Sequence, residues 1–88
     1  MRGVAVSTHD ITAAAREFEL ASRESQQILE KLEKVAGGLR EGWSGETQEA
    51  FFRHHTEWQS LMRSQTAMLV SISLELRALA DRFRRADS

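Results

Sequence analysis

The 88-residue sequence contains no cysteine, no proline and no tyrosine. Because cysteine is absent, disulfide bonds and thiolate metal sites are excluded. The three histidines, His9, His54 and His55, lack the spacing of a zinc site, so we expect no metal and no other cofactor. A chain this short usually needs a disulfide, a metal or a second subunit to stabilise its small core. Association with another chain is therefore the expected source of stability.

The sequence also lacks a strong charge of one sign and a long apolar run. Its formal net charge is −1, so the basic excess that indicates nucleic-acid binding is missing. It has no run of about 18 uncharged apolar residues, the length that spans a membrane. The apolar stretch near the N-terminus is too short for the core of a secretory signal. We expect synthesis in the cytoplasm and, if the protein is exported, a route without a cleaved signal.

Apolar residues recur at helical spacing in two segments, which no strand would produce. In the first segment one heptad position holds Ile11, Phe18, Ser25, Leu32 and Leu39, and neighbouring positions hold Ala14, Ala21, Ile28 and Val35 or Ala15, Ser22, Leu29 and Ala36. In the second segment the corresponding position holds Phe51, Trp58, Gln65, Ile72 and Leu79. The pattern predicts a single domain with helix one at about residues 8–41 and helix two at about residues 46–85.

Residues 42–45, Gly42-Trp43-Ser44-Gly45, form the break between the two predicted helices. Gly42 can end helix one in the left-handed conformation, and Ser44 can cap helix two. Gly45 allows the backbone to turn sharply. Because so short a connection makes the two helices antiparallel neighbours, the predicted fold is an all-α antiparallel helical hairpin.

A single hairpin leaves half of each apolar stripe exposed, and two hairpins packed together enclose a core. We therefore predict dimerisation into a four-helix bundle. The residues predicted for its core and dimer interface are Phe18, Ile28, Leu32, Leu39, Phe51, Trp58, Leu61, Leu69, Ile72, Leu76 and Leu79. A second stripe on helix two, formed by Ala67, Val70, Leu74 and Ala78, lies too far round to face helix one.

Polar and small residues interrupt the two stripes. Folding the chain about Ser44 brings Ser25 and Gln65 into neighbouring layers, where they either share a polar layer that fixes the register or mark a thin part of the bundle. Gly37 and Gly38 lie on the outer face of helix one. They are interpreted as a local bend or an early helix end, and the alternative is a close approach by a partner's backbone.

The motif Trp43-Ser44-Gly45 between two long helices resembles the WXG family, small substrates and partners of the bacterial type VII (ESX or Ess) secretion system. An aromatic residue soon after Gly45 and a tryptophan further along, Phe51 and Trp58, are also similar to many members. The resemblance covers essentially the whole chain. It implies a secreted, dimeric helical hairpin that the secretion ATPase recognises.

The family's C-terminal export motif is a tyrosine, three arbitrary residues and an acidic residue. Phe83 and Asp87 have this spacing, but phenylalanine lacks the hydroxyl and its hydrogen bond. Phenylalanine forms occur among escorts of larger LXG-type effectors, so the resemblance implies either a substrate exported as a dimer or such an escort. The implied partner is a second copy, another small WXG protein or an LXG-type effector. A structural bundle inside the cell is a third alternative.

Trp43 has two interpretations of nearly equal weight. In WXG dimers the turn of one subunit lies near the C-terminal tail of the other, which implies a composite recognition mark made by Trp43 with Phe83 and Asp87 of a second chain. In the other interpretation, Trp43 is the last apolar residue of helix one and closes the end of the bundle.

The remaining polar residues do not form a catalytic arrangement. No Ser/His/Asp set is readable, and Ser44 lacks the strand-turn-helix setting of a nucleophile, so we expect no enzyme activity. His55 is interpreted as a hydrogen-bonded residue at the edge of the core, and a metal site shared across a dimer is the weaker alternative. The arginine-rich end is interpreted as a solvated helix terminus. Membrane contact and nucleic-acid binding are weaker alternatives for it.

Overall fold

The computed structural model describes residues 6–87, which form two long helices. Helix α1 spans Thr8–Gly42 and helix α2 spans Glu46–Asp87. The two helices pack along their length into an antiparallel hairpin measuring 65 × 22 × 19 Å. The predicted all-α hairpin is therefore confirmed. The structure contains one chain, so the association of two hairpins stays a prediction.

Helix α1 begins with a capping box. The Asp10 amide donates to the Ser7 hydroxyl at 3.1 Å, and the Ser7 amide donates to an Asp10 carboxylate oxygen at 3.0 Å. The hydrogen bond from the Ser7 backbone holds the pKa of Asp10 below its ordinary value of 3.8, with a smaller effect from the Ser7 hydroxyl. Because the folded-state pKa is lowered, this interaction stabilises the helix above that ordinary value and is lost as the pH falls through the folded-state pKa.

The turn differs in detail from the sequence-based prediction. Gly42 is the last residue of α1, and Trp43 follows in an extended conformation (φ −132°, ψ 131°). The prediction that Gly42 ends helix one in the left-handed conformation is therefore wrong. Gly45 adopts φ 102°, and its carbonyl accepts from the Glu49 amide at 3.1 Å. Gly45, and not Ser44, is therefore the N-cap residue of α2. Its positive φ costs little free energy because glycine has no Cβ atom.

The seam between the two helices is formed mostly by small residues. On α1 the buried side chains are Ile11, Ala15, Ser22, Leu29 and Ala36, and on α2 they are Ser73 and Ala80. Of the first predicted stripe only Ile11 is buried, because small residues seven apart let the helices approach closely and turn the larger side chains outward. The hairpin therefore buries few large apolar side chains within its own seam.

A polar contact crosses the middle of this seam. The hydroxyl groups of Ser25 and Thr66 lie 2.7 Å apart, and Gln65 is exposed. Within the hairpin, Ser25 therefore pairs with Thr66 and not with Gln65, since a shift of one residue turns a helical side chain by about 100°. Seam hydroxyls also bond carbonyls of their own helix, as Ser22 does to Glu19 at 2.6 Å and Ser73 to Val70 at 2.7 Å.

Ion pairs join the helices along one side of the hairpin. Glu33 accepts from Arg63 at 2.9 Å and from the Gln59 amide at 3.2 Å. Glu19 accepts from Arg77 at 3.4 Å. These side chains are between a third and two thirds exposed, so each pair contributes less than about 1 kcal/mol. They are consistent with the register of the hairpin and add little to its stability.

Replacing both Gly37 and Gly38 with alanine is expected to stabilise the protein. Both residues lie inside α1, and a Cβ atom added at either would meet nothing within 4 Å. Each substitution should therefore raise the free energy of unfolding by up to about 1 kcal/mol, the difference in helix propensity. Urea denaturation of the purified double variant measures this change. A loss of stability would show that a neighbouring chain packs against these glycines.

Candidate interaction surface and turn

An exposed apolar surface runs along one side of the hairpin, opposite the ion pairs. We call it the apolar strip; its exposed members are Ile28, Leu32, Val35 and Leu39 on α1 and Trp58, Leu61 and Met68 on α2. Their exposed fractions range from 43% at Leu39 to 68% at Leu61, which is high for large apolar side chains at helical spacing. The strip is the surface on this chain best suited to contact another apolar surface.

A groove of about 240 Å³ lies within the apolar strip near the turn. Its walls come from both helices and consist of Leu29, Leu32, Val35, Ala36, Leu39, Phe51, His55, Trp58, Gln59 and Met62. The walls are almost entirely apolar, with His55 and Gln59 as the polar exceptions. Such a groove can receive apolar side chains of a partner.

The predicted interface residues all lie on the apolar strip or at its border with the seam. Five are exposed in the single chain, namely Ile28, Leu32, Leu39, Trp58 and Leu61. The other six are half-buried, namely Phe18, Phe51, Leu69, Ile72, Leu76 and Leu79. Val35 and Met62 were not in the predicted set, although Val35 shares a heptad position with Ile28 and could have been found from that spacing. That the eleven predicted residues form a dimer interface stays a prediction.

The second apolar stripe of α2, formed by Ala67, Val70, Leu74 and Ala78, lies outside the apolar strip. Val70 and Leu74 are 41% and 61% exposed, and Ala67 and Ala78 are exposed as well. Leu74 lies about 140° round the helix from Leu61. It is therefore on the other flank of α2, near the arginines that pair with α1.

Trp43 is held in place by its own chain. Its ring lies 5.3 Å from that of Phe51, and its indole Nε1 donates to the Thr47 hydroxyl at 3.2 Å. Trp43 is half-buried by these contacts. Ser44 and Gly45 beside it are exposed. The turn therefore presents an indole of fixed orientation that is still partly accessible to another protein.

Phe51 is the centre of an aromatic cluster behind the turn. Its ring lies 5.0 Å from Phe52, 5.9 Å from His55 and 6.1 Å from Trp58. The Arg40 guanidinium lies 4.2 Å above the Phe52 ring, a cation–π contact across the two helices. The cluster therefore extends from the turn to the wall of the groove.

The C-terminal motif lies at the other end of the hairpin. Phe83 is 40% exposed on the last turns of α2. Asp87 is the last residue of α2, and its side chain is not among those that the structure describes. In an antiparallel hairpin 65 Å long, Trp43 and Phe83 occupy opposite ends. One chain alone therefore cannot combine them into a single recognition mark.

The histidines form no ligand set with other side chains. His54 Nδ1 lies 3.8 Å from a Glu57 carboxylate oxygen, and its ring stacks on Trp58. His55 is half-buried at the edge of the seam, as interpreted from the sequence, and none of the other described residues forms a hydrogen bond or ion pair with its ring. The described residues contain no group of three potential metal ligands. Over the same residues, neither helix has a segment apolar enough to cross a membrane.

Comparison with known proteins identifies relatives of this chain. The model of the WXG100 family, described as proteins of 100 residues with WXG, matches residues 3–88. Among solved structures, the secreted protein EsxB from Bacillus anthracis is 27% identical, with a TM-score of 0.89 and full coverage of both chains. EsxA from Geobacillus thermodenitrificans is 20% identical, with a TM-score of 0.84 over 99% of this chain and 95% of that one, and shows the same fold. No curated protein matches the sequence significantly.

Proposed function

Because the chain belongs to the WXG100 family, we propose that it is a small substrate of a bacterial type VII secretion system that is recognised as a folded dimer. The observation that carries this proposal is the apolar strip, which leaves seven large apolar side chains exposed beside a seam of mostly small residues. The similarity to EsxB, which is described as a secreted protein, supports export. In this proposal the protein acts through recognition and has no catalytic site.

Few of the large apolar side chains of the hairpin are fully buried in its seam. Leu29 and Ile11 are the large apolar side chains buried in the seam, at 2% and 6% exposure, and the other buried residues there are alanine or serine. Full burial of one large apolar side chain is worth roughly 1.5–3 kcal/mol. A second hairpin laid over the strip would bury large apolar side chains that the hairpin's own seam leaves exposed. A second copy offers such a face, and the result is a four-helix bundle.

The recognition mark in this proposal is composite. An antiparallel pair of hairpins places the turn of one copy at the open end of the other, so Trp43 lies near Phe83 and Asp87 of the second copy. The fixed indole of Trp43 supports this role, because a rigid, partly exposed aromatic side chain is suited to recognition by another protein. The proposed reader is the secretion ATPase. The mark would exist only in the folded dimer.

A second candidate function is an escort that pairs with a larger LXG-type effector. The specific observation in its favour is Phe83, which stands where the family's export motif has tyrosine. In this case the apolar strip covers an apolar helical face of the effector, and the pair carries the targeting mark. Light scattering separates the two candidates, because a stable homodimer supports the first and a monomer at micromolar concentration supports the second.

Replacing Phe83 with alanine is expected to reduce the extracellular amount of the protein without reducing the cellular amount. The measurement is immunoblotting of culture supernatant and cells in a strain with an active type VII system and in the same strain without its ATPase. Phe83→Tyr is the matched control, since it keeps the ring and restores the hydroxyl that the family motif contains. Undiminished export of the alanine variant would reject the role of Phe83 in the proposed mark.

A further inference from the structure

The α1 side of the apolar face changes from small to large side chains at the middle of the helix. Along one line of residues seven apart, Ala14 and Ala21 precede the middle, and Ile28 and Val35 follow it. Ile28 and Val35 project from the surface, with 51% and 59% exposure. A shallow recess of about 160 Å³ at the small end is lined by Glu17, Phe18, Ala21 and Leu69. The face therefore has a protrusion and a recess on opposite sides of its midpoint.

The outer border of this face carries opposite charges on the two sides of the same midpoint. Glu17 and Lys31 lie two heptads apart on one line of α1, and both are exposed. Neither forms an ion pair with another described residue. Glu24 lies halfway between them on the same line. Both charges at the ends of this line are therefore available to a second chain.

The volume pattern and the charge pattern are both centred on the middle of the hairpin. Ser25 and Thr66 lie at the middle of α1 and of α2, and their hydroxyl contact of 2.7 Å places them at one level. In a two-fold interface, residue i of one chain contacts residue j of the other and the reverse, so the surface must be self-complementary about the axis. The exposed face of α1 has this property in volume and in charge.

We propose that the partner of the apolar strip is a second copy of this chain, packed α1 on α1 about a two-fold axis at the middle of the helix, and that two pairs between Glu17 and Lys31 select this partner. Ile28 of each copy then fills the recess beside Ala21 of the other. The proposal rests on the dimer of the proposed function, and it names the partner and the residues that select it.

Apolar contact supplies the affinity of this interface, and charge supplies the choice of partner and orientation. Burial of Ile28 in the recess removes a large apolar side chain from water. An exposed ion pair adds little affinity, but a like-charge contact in its place disfavours a wrong arrangement. A parallel pair would place Glu17 against Glu17 and Lys31 against Lys31. In the proposed arrangement the one like-charge contact along this line is between the two Glu24 side chains near the axis.

A shift by one heptad is the competing antiparallel register. It would pair Lys31 with Glu24 and relieve the contact between the Glu24 side chains. It would also place Ile28 against Ile28 and leave about 10 Å of each hairpin uncovered, at about 1.5 Å per residue. Volume complementarity therefore favours the register centred on the middle of α1.

Single cysteines test the arrangement, because the chain has none of its own. With a short bis-maleimide linker, and at a concentration where sedimentation shows a dimer, Glu24→Cys should cross-link to its own copy. Glu17→Cys and Lys31→Cys are the matched exposed controls on the same line of α1. Neither should cross-link alone, because about 20 Å along the helix axis separates the two copies of either residue. An equal mixture of these two variants should cross-link.

Charge reversal tests the selection of the partner. At low salt, Glu17→Lys and Lys31→Glu should each raise the Kd of the dimer about tenfold, because two attractive contacts become repulsive. An equal mixture of the two variants should form a heterodimer with about the wild-type Kd, since both pairs are then restored. A single chain that carries both substitutions should recover the wild-type Kd as well. Sedimentation equilibrium measures these values.

The other outcomes contradict the proposal in distinguishable ways. Cross-linking of all three cysteine variants alone indicates a parallel pair, and cross-linking of none, alone or mixed, indicates that α1 does not face α1. Cross-linking of Glu24→Cys with Lys31→Cys, in place of Glu17→Cys with Lys31→Cys, indicates the shifted register. Each of these results, or an unchanged Kd in both charge reversals, overturns the proposal and leaves the dimer intact. A wild-type chain that sediments as a monomer overturns the dimer as well.

Discussion

Replacing Ile28 with lysine is expected to convert the protein from a dimer to a monomer. Ile28 is 51% exposed in the single chain and lies in the middle of α1, on the apolar strip. A lysine there would bring an ammonium charge into each half of the apolar interface and remove it from water. The Kd should rise at least about 100-fold, which corresponds to about 2.7 kcal/mol. Sedimentation velocity over a concentration series measures this shift.

Leu74→Lys is the matched control for this experiment. Leu74 is 61% exposed, so it is at least as accessible as Ile28, but it lies on the other flank of the hairpin. Lysine is a good helix former at both positions, and Glu24 stands four residues before Ile28 to support it. If Leu74→Lys dissociates the dimer and Ile28→Lys does not, the interface lies on the second stripe of α2. If neither changes the Kd, the apolar strip is not the contact surface.

Replacing Trp43 with alanine is expected to abolish export while the dimer persists. The substitution removes the contact with Phe51 and the hydrogen bond to Thr47, so we expect unfolding to become easier by about 1–3 kcal/mol. The apolar strip remains, and the circular dichroism spectrum and the sedimentation coefficient should be close to those of the wild type. The secreted fraction, measured in a type VII-dependent strain, should fall to the level of a strain without the ATPase.

A destabilised variant with an intact turn shows whether Trp43→Ala loses export through lost recognition or through lower stability. Ala15 is fully buried in the seam, far from the turn, and Ala15→Gly should cost about 1 kcal/mol in helix propensity. This variant should be exported like the wild type. Export of Trp43→Ala at the wild-type level would mean that Trp43 only closes the end of the bundle. Loss of export in both variants would mean that the secretion system responds to stability.

Helix content and the position of the turn could be predicted from the residues alone. Without proline, two segments of apolar heptads can continue as uninterrupted helices, and the glycines around Trp43 are the strongest break between them. The Ser7-x-x-Asp10 spacing is likewise a signal for a capping box near the start of α1, because that motif depends on contacts three residues apart. These features are local, so spacing along the chain is enough to find them.

The face that each helix turns to the other could not be predicted in the same way. Leu32 and Leu39 are predicted for the core or the dimer interface without a choice between them, and in the single chain both are exposed while Ala15 and Ala36 are buried. Periodicity identifies an apolar side of a helix that is wider than one contact, and it does not say which half meets which neighbour. The choice depends on how closely the two backbones approach, which only the packed pair of helices decides.

The sequence by itself determined two long helices, a break at the tryptophan, and an excess of apolar surface over what one hairpin can bury. Those properties follow from composition and from spacing along a single helix. The tertiary structure alone decided that Ser25 meets Thr66, that Leu32 and Leu39 face away from the seam, and that His55 lies in the wall of an apolar groove. Each of these depends on the rotation and register of helices, which small changes in packing can alter without any change in the pattern of apolar residues.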